Sequence, residues 1–415
     1  MSVLLFILDG LGGRPPKSAL MLSKHPNFDH LLENGTGGLL YVHDKKTAPE
    51  SEDAHLQIFG YDPKIYLKGR GPLEALGANV KLKTGDIAFR TNFATIDSKG
   101  VVIDRRAGRI KTREAKKLEK PINSIKVTGK TPGIKNVKII FRQTVDHRGV
   151  LVLRNKAVGS VLSSQISNTD PAHPKTGVIA KWKGKKILKS EPIIKSKEAE
   201  ITADILNKFT KIAIEKLSKA DVNKKRIKNK KLPANAILVR GPGYYCPVAP
   251  MKERFGIKAA CIAGGALYKG CAKYVGMDII NVKGASGDEN TNLKAKFAAA
   301  KKALKKYDLV FLHVKATDVF GHDKDCKAKA KFIEKVDKAF KPLIKLKTPI
   351  IITGDHATPC TVGEHTSNPI PILIYADKIP NDKLKIFNEK SCTKGGLGIV
   401  YGKHIIPIII YLLEL

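Results

Sequence analysis

The sequence has few acidic residues, tryptophans and cysteines for its length. It contains 38 aspartates and glutamates against 75 lysines and arginines, one tryptophan and six cysteines in 415 residues. The cysteines show no C-x-x-C spacing, which argues against a disulfide framework or a zinc-ribbon site. Reduced, buried thiols are the simpler interpretation and indicate a cytosolic protein.

Long apolar runs are also absent. The first residues, MSVLLFILDG, have no basic leader and are interrupted by Asp9, so they predict a buried strand and not a signal peptide. The apolar segment 404–415 is short and contains a proline, so it is not expected to cross a bilayer. We therefore expect a cytoplasmic protein without a membrane partner.

The net charge of +37 allows two interpretations. One is an anionic partner, either a nucleic acid or a phosphorylated small molecule. The other is a lysine-rich surface set by genome composition or a salty cytosol. The lysines are scattered, with no long basic run and no interleaved aromatic residues, which favours the second interpretation and predicts no specific nucleic-acid partner.

Arginine is distributed differently from lysine. Nine of the 13 arginines lie between Arg70 and Arg154, and the last is Arg254. Because lysine supplies the general positive charge here, clustered arginines suggest a use of the planar guanidinium, which matches carboxylate and phosphate geometry. The middle of the chain is predicted to be an anion-binding region.

The alternation of apolar runs predicts an α/β protein with two domains. In the C-terminal third, predicted strands at 278–282, 308–314, 349–353 and 371–375 alternate with predicted helices at 293–306 and 328–343. This pattern is typical of a parallel sheet covered on both faces. The segment 66–242 shows short β-like runs, a turn-rich stretch at 129–135, one amphipathic helix at 198–217 and a basic linker at 223–231. We predict that 66–242 is an inserted α+β domain, and that 1–65 and 243–415 form the first domain.

Three predicted strands run directly into metal-type ligands. VLLFIL ends at Asp9, LVFLHVKAT ends at Asp318, and PIIITG ends at Asp355. In a parallel sheet the carboxyl ends of the strands meet at one edge, where ligands bind. One such aspartate is often a turn or capping residue, whereas three predict a site.

Histidines accompany these aspartates. His322 follows Asp318 by four residues, His356 follows Asp355 directly, and His365 lies nearby. Imidazole and carboxylate together suit zinc, manganese or iron better than calcium. The six side chains supply enough ligands for two divalent ions, an arrangement that can clamp the oxygens of a transferring phosphoryl group.

Ser51 is the candidate nucleophile. It lies in a polar loop, APESEDAH, before an apolar stretch, with His55 one helical turn further on. By itself the residue is equally well explained as a helix N-cap, with Glu52 and Asp53 in the first turn. A helix N-terminus can also hold a phosphate, so capping and catalysis are compatible.

The chain resembles the archaeal-type cofactor-independent phosphoglycerate mutases of the alkaline phosphatase superfamily. The motifs that carry the resemblance run in order through most of the chain: LDGLGGRP (8–15), SEDAHLQIFGYDP (51–63), KGRGPLEALGA (68–78), DRRAGR (104–109), VLVLR (150–154), GASGDENTN (284–292), HVKATDVFGHDKD (313–325), ITGDHATP (352–359) and GEHTSNPIPILIY (363–375).

The resemblance implies an alkaline-phosphatase-like metal domain and an inserted domain that closes on the substrate. One metal site would use Asp318, His322 and His365. The other would use four residues: Asp9, Ser51, Asp355 and His356. The ions are expected to be Mn²⁺, with Zn²⁺, Co²⁺ or Mg²⁺ as alternatives, and 2,3-bisphosphoglycerate is not expected to be needed.

The implied reaction interconverts 3-phosphoglycerate and 2-phosphoglycerate through a transiently phosphorylated Ser51. The glycerate would be held by side chains of the inserted domain and by one lysine of the metal domain: Arg90, Arg105, Arg106, Arg109, Arg148, Arg154 and Lys269. An arginine near a motif can equally be part of a structural ion pair.

Three positions depart from the family pattern. Glu50 stands where a glycine is usual, Asp53 replaces a threonine, and Gly13 occupies a position that is often acidic. None removes a ligand or the nucleophile, although Glu50 adds negative charge beside Ser51. The alternative activity is a metal-dependent phosphatase or phosphodiesterase that uses the same residues.

Overall fold

The computed structural model describes residues 1–127, 137–155, 162–175 and 178–414. The predicted turn-rich stretch 129–135 lies outside these residues. The strands are β1 Val3–Leu8, β2 Thr36–Tyr41, β3 Ile87–Ile96, β4 Val102–Asp104, β5 Lys126–Val127, β6 Val137–Gln143, β7 Arg148–Asn155, β8 Ala236–Tyr244, β9 Ala259–Ile262, β10 Asp278–Ile279, β11 Leu309–Val314, β12 Ile350–Thr353, β13 Ile370–Tyr375 and β14 Gly398–Tyr401.

The described residues also form sixteen α-helices and two short 3₁₀ helices, Lys116–Leu118 and Gly402–His404. The α-helices are α1 Ala19–Leu22, α2 Pro26–Glu33, α3 Ser51–Ile58, α4 Pro63–Tyr66, α5 Arg70–Gly77, α6 Thr112–Ala115, α7 Glu119–Asn123, α8 Lys197–Ser218, α9 Asp221–Lys228, α10 Met251–Phe255, α11 Ala266–Tyr274, α12 Leu293–Ala303, α13 Ala316–His322, α14 Cys326–Ile344, α15 Glu389–Cys392 and α16 Ile405–Glu414. None of them combines the length and hydropathy that a bilayer-spanning helix needs.

The chain divides into two compact units. Unit 1 comprises Met1–Leu67 and Val248–Leu415, and unit 2 comprises Lys68–Pro247. Each unit contains its own sheet and its own buried core. They are described separately below.

Unit 1 is built on an eight-stranded sheet in the order β10-β9-β11-β1-β12-β13-β2-β14. Every residue of β1 and β11 is buried, as expected for central strands that are covered on both faces. On one face, Phe6 of β1 packs against Phe28, Phe297 and Phe340 from three helices. The predicted α/β class is confirmed.

One strand departs from the parallel arrangement. β13 pairs antiparallel with both β12 and β2, whereas the other pairings among the described strands of this sheet are parallel. The prediction that 371–375 belongs to a parallel sheet was therefore wrong in direction. The apolar run alone did not reveal it, because a buried antiparallel strand has the same composition.

Unit 2 is built on a six-stranded antiparallel sheet in which β3 pairs with β4, β7 and β8. α8 covers this sheet with an apolar stripe that includes Leu206 and Phe209, spaced as one face of a helix requires. Its N-terminus is capped by Ser196, whose hydroxyl accepts from the backbone N–H of Ala199 at 3.1 Å.

The predicted basic linker at 223–231 was wrong, because most of it is helical and belongs to α9. Two of its polar side chains are buried anchors. The Asn223 amide bonds the carbonyl oxygens of Leu217 and Ala234, and the Arg226 guanidinium bonds the Leu232 carbonyl and Glu114. Asn223 and Arg226 are three residues apart and therefore lie on one face of the helix. The abundance of lysine in this segment, on which the linker prediction rested, does not reveal this buried face.

Candidate functional site

The ends of three neighbouring strands bring the predicted acidic residues together. β1 lies between β11 and β12, with Leu8 paired to Val314 and Ile7 paired to Thr353. Asp9 follows β1 directly, Asp355 follows β12, and Asp318 lies in α13 after β11. The local sequence therefore places all three carboxylates at the carboxyl edge of the sheet, where the strand pattern predicted them.

Asp318, His322 and His365 form the first set of possible metal ligands, hereafter the Asp318 group. Asp318 Oδ1 lies 3.3 Å from His322 Nε2 and 3.6 Å from His365 Nε2. The Nδ1 atoms of the two histidines lie 2.9 Å from the carbonyl oxygens of Gly363 and Pro49. A carbonyl only accepts, so each Nδ1 carries a proton, and Nε2 is the atom of each ring that can bind a metal once it is deprotonated.

Asp9, Asp355 and His356 form the second set, hereafter the Asp9 group. His356 Nε2 lies 3.4 Å from Asp9 Oδ1, 3.4 Å from Asp355 Oδ2 and 3.3 Å from Ser51 Oγ. The other oxygen of Asp355 accepts the backbone N–H groups of Gly10 and His356. All three side chains of the group are fully buried, and Asp9 Oδ1 and Asp355 Oδ2 have no hydrogen-bond partner in the described part of the chain.

These separations fit divalent ions. Nitrogen and oxygen ligands about 2.0–2.1 Å from a tetrahedral ion lie roughly 3.3–3.4 Å from one another. Three contacts, of 3.3, 3.4 and 3.4 Å, have this spacing, and the contact from Asp318 Oδ1 to His365 Nε2 is slightly longer at 3.6 Å. The ligand atoms within each group all lie within 4.8 Å of one another. Buried oxygens without hydrogen-bond partners are costly, and a bound cation would remove that cost.

The electrostatics of the carboxylates support the same conclusion. Burial raises the pKa of Asp355 well above its usual range, and the nearby Asp9 carboxylate raises it further. Burial also acts to raise the pKa values of Asp9 and Asp318, but Lys315 and the neighbouring histidines together outweigh it, and both end below their usual range. Three carboxylates this close and this deeply buried need more positive charge than one ammonium supplies.

The histidines differ in their protonation. Burial and the neighbouring His365 lower the pKa of His356 to about 3, so His356 is neutral and able to bind a metal. Burial would lower the pKa of His365 too, but the hydrogen bond and charge of Asp318 raise it to about 9. Their rings stack with centroids 3.6 Å apart, so the two ligand groups are in direct contact.

Ser51 is the first residue of α3, and Glu50 occupies the N-cap position. The interpretation of Ser51 as a helix cap was therefore wrong. Its hydroxyl points to His356 Nε2, and its carbonyl oxygen accepts from His55 Nδ1 at 2.6 Å. His55 is fully buried and in ring contact with Phe59 and other aromatic side chains, so it fixes the backbone of Ser51.

His55, His313 and Asp355 lie close enough to form a third set of possible metal ligands. The hydrogen bond to Ser51 occupies Nδ1 of His55, which is the atom 3.6 Å from Asp355 Oδ2. Burial lowers the pKa of His313 to about 3, and its ring stacks on Tyr268 with centroids 3.6 Å apart. This set is better described as the packed wall behind the Asp9 group.

Two lysines at the site were not predicted from the sequence. Lys315 Nζ donates to Asp9 Oδ2 at 3.2 Å, to Asp318 Oδ2 at 2.9 Å and to the Tyr268 hydroxyl at 2.7 Å. Lys329 is buried in α14, and its Nζ donates to the carbonyl oxygens of Gly10 and Thr358. Lys315 lies in the strand-end motif HVKATD, so its position was a usable signal, whereas Lys329 carried none.

Lys269 is the predicted substrate ligand of the metal domain. It lies on α11, and its Nζ donates to Asn281 Oδ1 at 3.2 Å in an exposed contact. The described contacts of its ammonium group involve neither ligand group.

In unit 2, the structure separates the six predicted arginines by their partners. Arg154 binds Asp86 through two hydrogen bonds of 2.8 and 2.6 Å, and Arg105 binds Asp170 through two of 3.0 and 2.5 Å. Arg90 lies 3.2 Å from Glu74. The pairs made by Arg154 and Arg105 are bidentate, and Arg154 also donates to a backbone carbonyl, so it is fully engaged.

Arg106 and Arg109 lie in an exposed loop with unusual backbone angles. Ala107, Gly108 and Arg109 have φ values of 47°, 61° and 54°, a left-handed run that is costly for residues other than glycine. Arg226 stabilises the turn by donating to the Ala107 carbonyl at 2.8 Å. The loop therefore exposes two guanidinium groups, and contacts such as that of Arg226 hold its strained backbone conformation.

Five guanidinium groups of unit 2 lie near one another and form what we call the arginine cluster. Its members are Arg70, Arg90, Arg105, Arg148 and Arg240.

Two carboxylates, Glu74 and Asp170, face the arginine cluster. Arg240 was not predicted as a site residue. Burial lowers its pKa to about 10, and its Nε is buried without a hydrogen-bond partner among the described residues. The excess of guanidinium groups over carboxylates makes the cluster a candidate anion site.

The fold and the site define the class of the protein. It is an α/β protein with two adjoining sets of carboxylate and imidazole ligands at the carboxyl edge of a mainly parallel sheet, and with a serine hydroxyl beside them. This arrangement is typical of two-metal phosphoryl transfer.

Comparison with known proteins identifies the family. A family model described as 2,3-bisphosphoglycerate-independent phosphoglycerate mutase matches residues 33–223. Proteins of that name from Pyrobaculum arsenaticum and Methanococcus aeolicus are 42% and 43% identical to the chain, over 98% and 99% of it and 97% of each relative. The chain belongs to the 2,3-bisphosphoglycerate-independent phosphoglycerate mutase family.

Solved structures agree with this assignment. A cofactor-independent phosphoglycerate mutase from Thermoplasma acidophilum is 30% identical, covers 99% of both chains and superposes with a TM-score of 0.69. A protein from Pyrococcus horikoshii is 33% identical, covers 100% of this chain and 97% of its own, and superposes with a TM-score of 0.82. The predicted family is confirmed.

Proposed function

We propose that this protein interconverts 3-phosphoglycerate and 2-phosphoglycerate without 2,3-bisphosphoglycerate, in glycolysis and gluconeogenesis. The observation that carries the proposal is the position of Ser51 beside the Asp9 group. Its Oγ lies 3.3 Å from His356 Nε2, which is the separation expected for two ligands of one ion. Relatives that match nearly the full chain are named for the same reaction. A nucleophile within a ligand set is what a phosphoryl-enzyme mechanism requires.

The Asp318 group and the Asp9 group with Ser51 would each hold one divalent ion. Mn²⁺ is favoured, with Zn²⁺, Co²⁺ or Mg²⁺ as alternatives, because the donors are imidazole nitrogens and carboxylate oxygens. Bound ions would neutralise charge on the phosphoryl oxygens and lower the pKa of the Ser51 hydroxyl. The chain's own part is to hold the ligand atoms at the spacing described above.

The chemical step is a double displacement at Ser51. Its Oγ attacks the phosphorus of phosphoglycerate, the bond from phosphorus to the glycerate oxygen breaks, and the serine proton goes to the departing glycerate. The glycerate stays bound and presents its other hydroxyl, which attacks phosphoserine and restores Ser51. Catalysis of this kind depends mainly on positioning and electrostatic stabilisation.

The arginine cluster of unit 2 is the candidate for holding the anionic glycerate. Arg90, Arg105 and Arg148 belong to it, and the exposed Arg106 and Arg109 lie on the strained loop described above. A substrate carboxylate bound there would offset the positive charge of the guanidinium groups that Glu74 and Asp170 do not neutralise. Arg154, with Asp86 and a carbonyl as partners, is proposed to support the sheet and not the substrate.

The test is an assay of the purified chain with 3-phosphoglycerate, Mn²⁺ and enolase, run beside a measurement of inorganic phosphate. A mutase forms 2-phosphoglycerate with no net release of phosphate. Steady release at a rate comparable to interconversion would instead establish the alternative activity, a metal-dependent phosphatase. Absence of both reactions with any of the four ions would refute the proposal.

A further inference from the structure

The ammonium group of Lys315 lies between the two ligand groups. It bonds Oδ2 of Asp9 and Oδ2 of Asp318, while Oδ1 of each carboxylate faces the histidines of its own group. The side chain of Lys315 is 27% exposed, whereas those of Asp9 and Asp318 are 0% and 4% exposed. The lysine side chain is therefore more open to solvent than either carboxylate that it bonds.

Four other cations of unit 1 are engaged elsewhere. Lys329 and Lys296 are buried and bonded to backbone carbonyls. The two arginines of unit 1 are used elsewhere, Arg14 with Asn368 and Arg254 with Tyr66. Among the described lysines and arginines, Lys315 is the one that bonds the carboxylates of both ligand groups, and its side chain is partly exposed.

The net charge of the site with two ions bound indicates the role of Lys315. This charge count rests on the proposed function. Three carboxylates, one ammonium and two divalent ions, with neutral histidines, leave two positive charges. That excess matches the two negative charges of a phosphoryl group, and without Lys315 one positive charge would be missing. Bound ions would also draw charge from Asp9 and Asp318, which weakens their hold on the ammonium.

We propose that Lys315 is a catalytic residue that binds the transferring phosphoryl group. Once the carboxylates are engaged by ions, its ammonium donates a hydrogen bond to a phosphoryl oxygen, both in the substrate complex and in phosphoserine. Lys315 keeps its proton throughout, so no bond to it forms or breaks. Tyr268, whose hydroxyl accepts from Nζ at 2.7 Å, keeps the ammonium at this position.

The test uses the full chain loaded with Mn²⁺ and orthovanadate as the phosphoryl probe. Lys315→Met removes the charge with little change in volume, and Lys327→Met, which alters an exposed lysine of α14, is the matched control. We expect Lys315→Met to retain two ions per chain by mass spectrometry and to bind vanadate about tenfold to a hundredfold more weakly, the range of one charge-assisted hydrogen bond. Its kcat should fall at least as much.

Lys315→Arg is the second variant, since it keeps the charge and guards against misfolding of the methionine variant. It should bind vanadate within about threefold of the wild type. Two results would overturn the proposal. One is equal vanadate affinity for Lys315→Met and Lys327→Met. The other is loss of ions from Lys315→Met, which would show that the lysine acts only through the carboxylates.

The outcome is separable from that of the proposed function. If the wild type fails to interconvert phosphoglycerates but the vanadate result is as expected, the reaction assignment falls and the phosphoryl-binding role of Lys315 stands. If the wild type is an active mutase and the vanadate affinities are equal, the reverse holds.

Discussion

The two units carry opposite charge imbalances at their candidate sites. In unit 1, three buried carboxylates converge on one sheet edge, and the ammonium of a single lysine, Lys315, bonds two of them. In unit 2, five guanidinium groups share two carboxylates, Glu74 and Asp170. Each imbalance is costly in the protein alone, and each is relieved by a ligand of the opposite sign.

This difference teaches how to distinguish functional from structural charges in the chain. Arg154 with Asp86 is a balanced pair with good geometry, and its second donor group bonds a backbone carbonyl, so it needs nothing else. Arg240 and Asp355 have buried polar atoms without a hydrogen-bond partner among the described residues. In this molecule, incomplete pairing is a better guide to ligand binding than the presence of charge.

The largest effect should come from Ser51→Ala, which disables unit 1 and leaves the arginine cluster intact. We expect kcat for interconversion to fall by roughly 10⁴-fold or more, as loss of a covalent nucleophile does. The enolase-coupled assay measures it, with Ser218→Ala, an exposed serine of α8, as the control. Activity within tenfold of the wild type would exclude phosphoserine.

Metal removal comes next. Treatment with a chelator should reduce activity at least a hundredfold, and Mn²⁺ should restore it, because the carboxylates of the Asp9 group are buried without enough counter-charge. The melting temperature should rise with ion concentration, since the ligand sets form only in the folded state. If neither the melting temperature nor the activity changes with chelator or with Mn²⁺, the two-ion site is contradicted.

Two arginine substitutions sharpen the comparison within unit 2. Arg240→Met should raise KM for 3-phosphoglycerate about tenfold or more with little loss of stability, because it removes a cation whose buried Nε has no hydrogen-bond partner. Arg105→Met should cost about 3–5 kcal/mol of unfolding free energy, because it leaves the buried Asp170 unpaired.

Urea unfolding and steady-state kinetics on the two arginine variants give both numbers. If Arg240→Met instead lowers stability as much as Arg105→Met and leaves KM unchanged, Arg240 is a structural residue.

The smallest effect concerns pH and Lys296. Burial lowers the pKa of Lys296 from 10.5 to about 8. Between these values the unfolded chain binds more protons than the folded chain, so the wild type should gain stability as the pH rises from 8 to 10.5. Relative to Lys296→Met, the gain should approach about 3 kcal/mol. Parallel stability curves for the two proteins would show that Lys296 titrates normally.

The sequence predicted the metal side of the site better than the anion side. Asp9, Asp318 and Asp355 could be placed because apolar strands end at them, and strand ends in an α/β sheet share one edge. Lys315 follows a strand in the same way, and this position was a usable signal, but it was overlooked because lysine is so abundant in the chain. The role of Arg240 depends on which neighbours already have partners, which is a property of the folded unit.

Local sequence also failed where tertiary packing decided the outcome. α9 was predicted to be a linker, because the buried roles of Asn223 and Arg226 cannot be read from a run of lysines. For Ser51 the local sequence left a helix cap and a nucleophile as equal alternatives, whereas in the fold Glu50 takes the capping position and the Ser51 hydroxyl turns to His356. The direction of β13 depends on its neighbours in the sheet, and its own residues do not encode it.

The antiparallel direction of β13 has a consequence for how the site can change. β12 runs towards the ligand edge and β13 runs away from it, so the connection 354–369 begins and ends at that edge. It carries Asp355, His356 and His365 on a single loop, without a crossover helix. Insertions or deletions within 359–364 could therefore alter the separation of the two ligand groups while every strand keeps its register, and metal preference could diverge among relatives without redesign of the sheet.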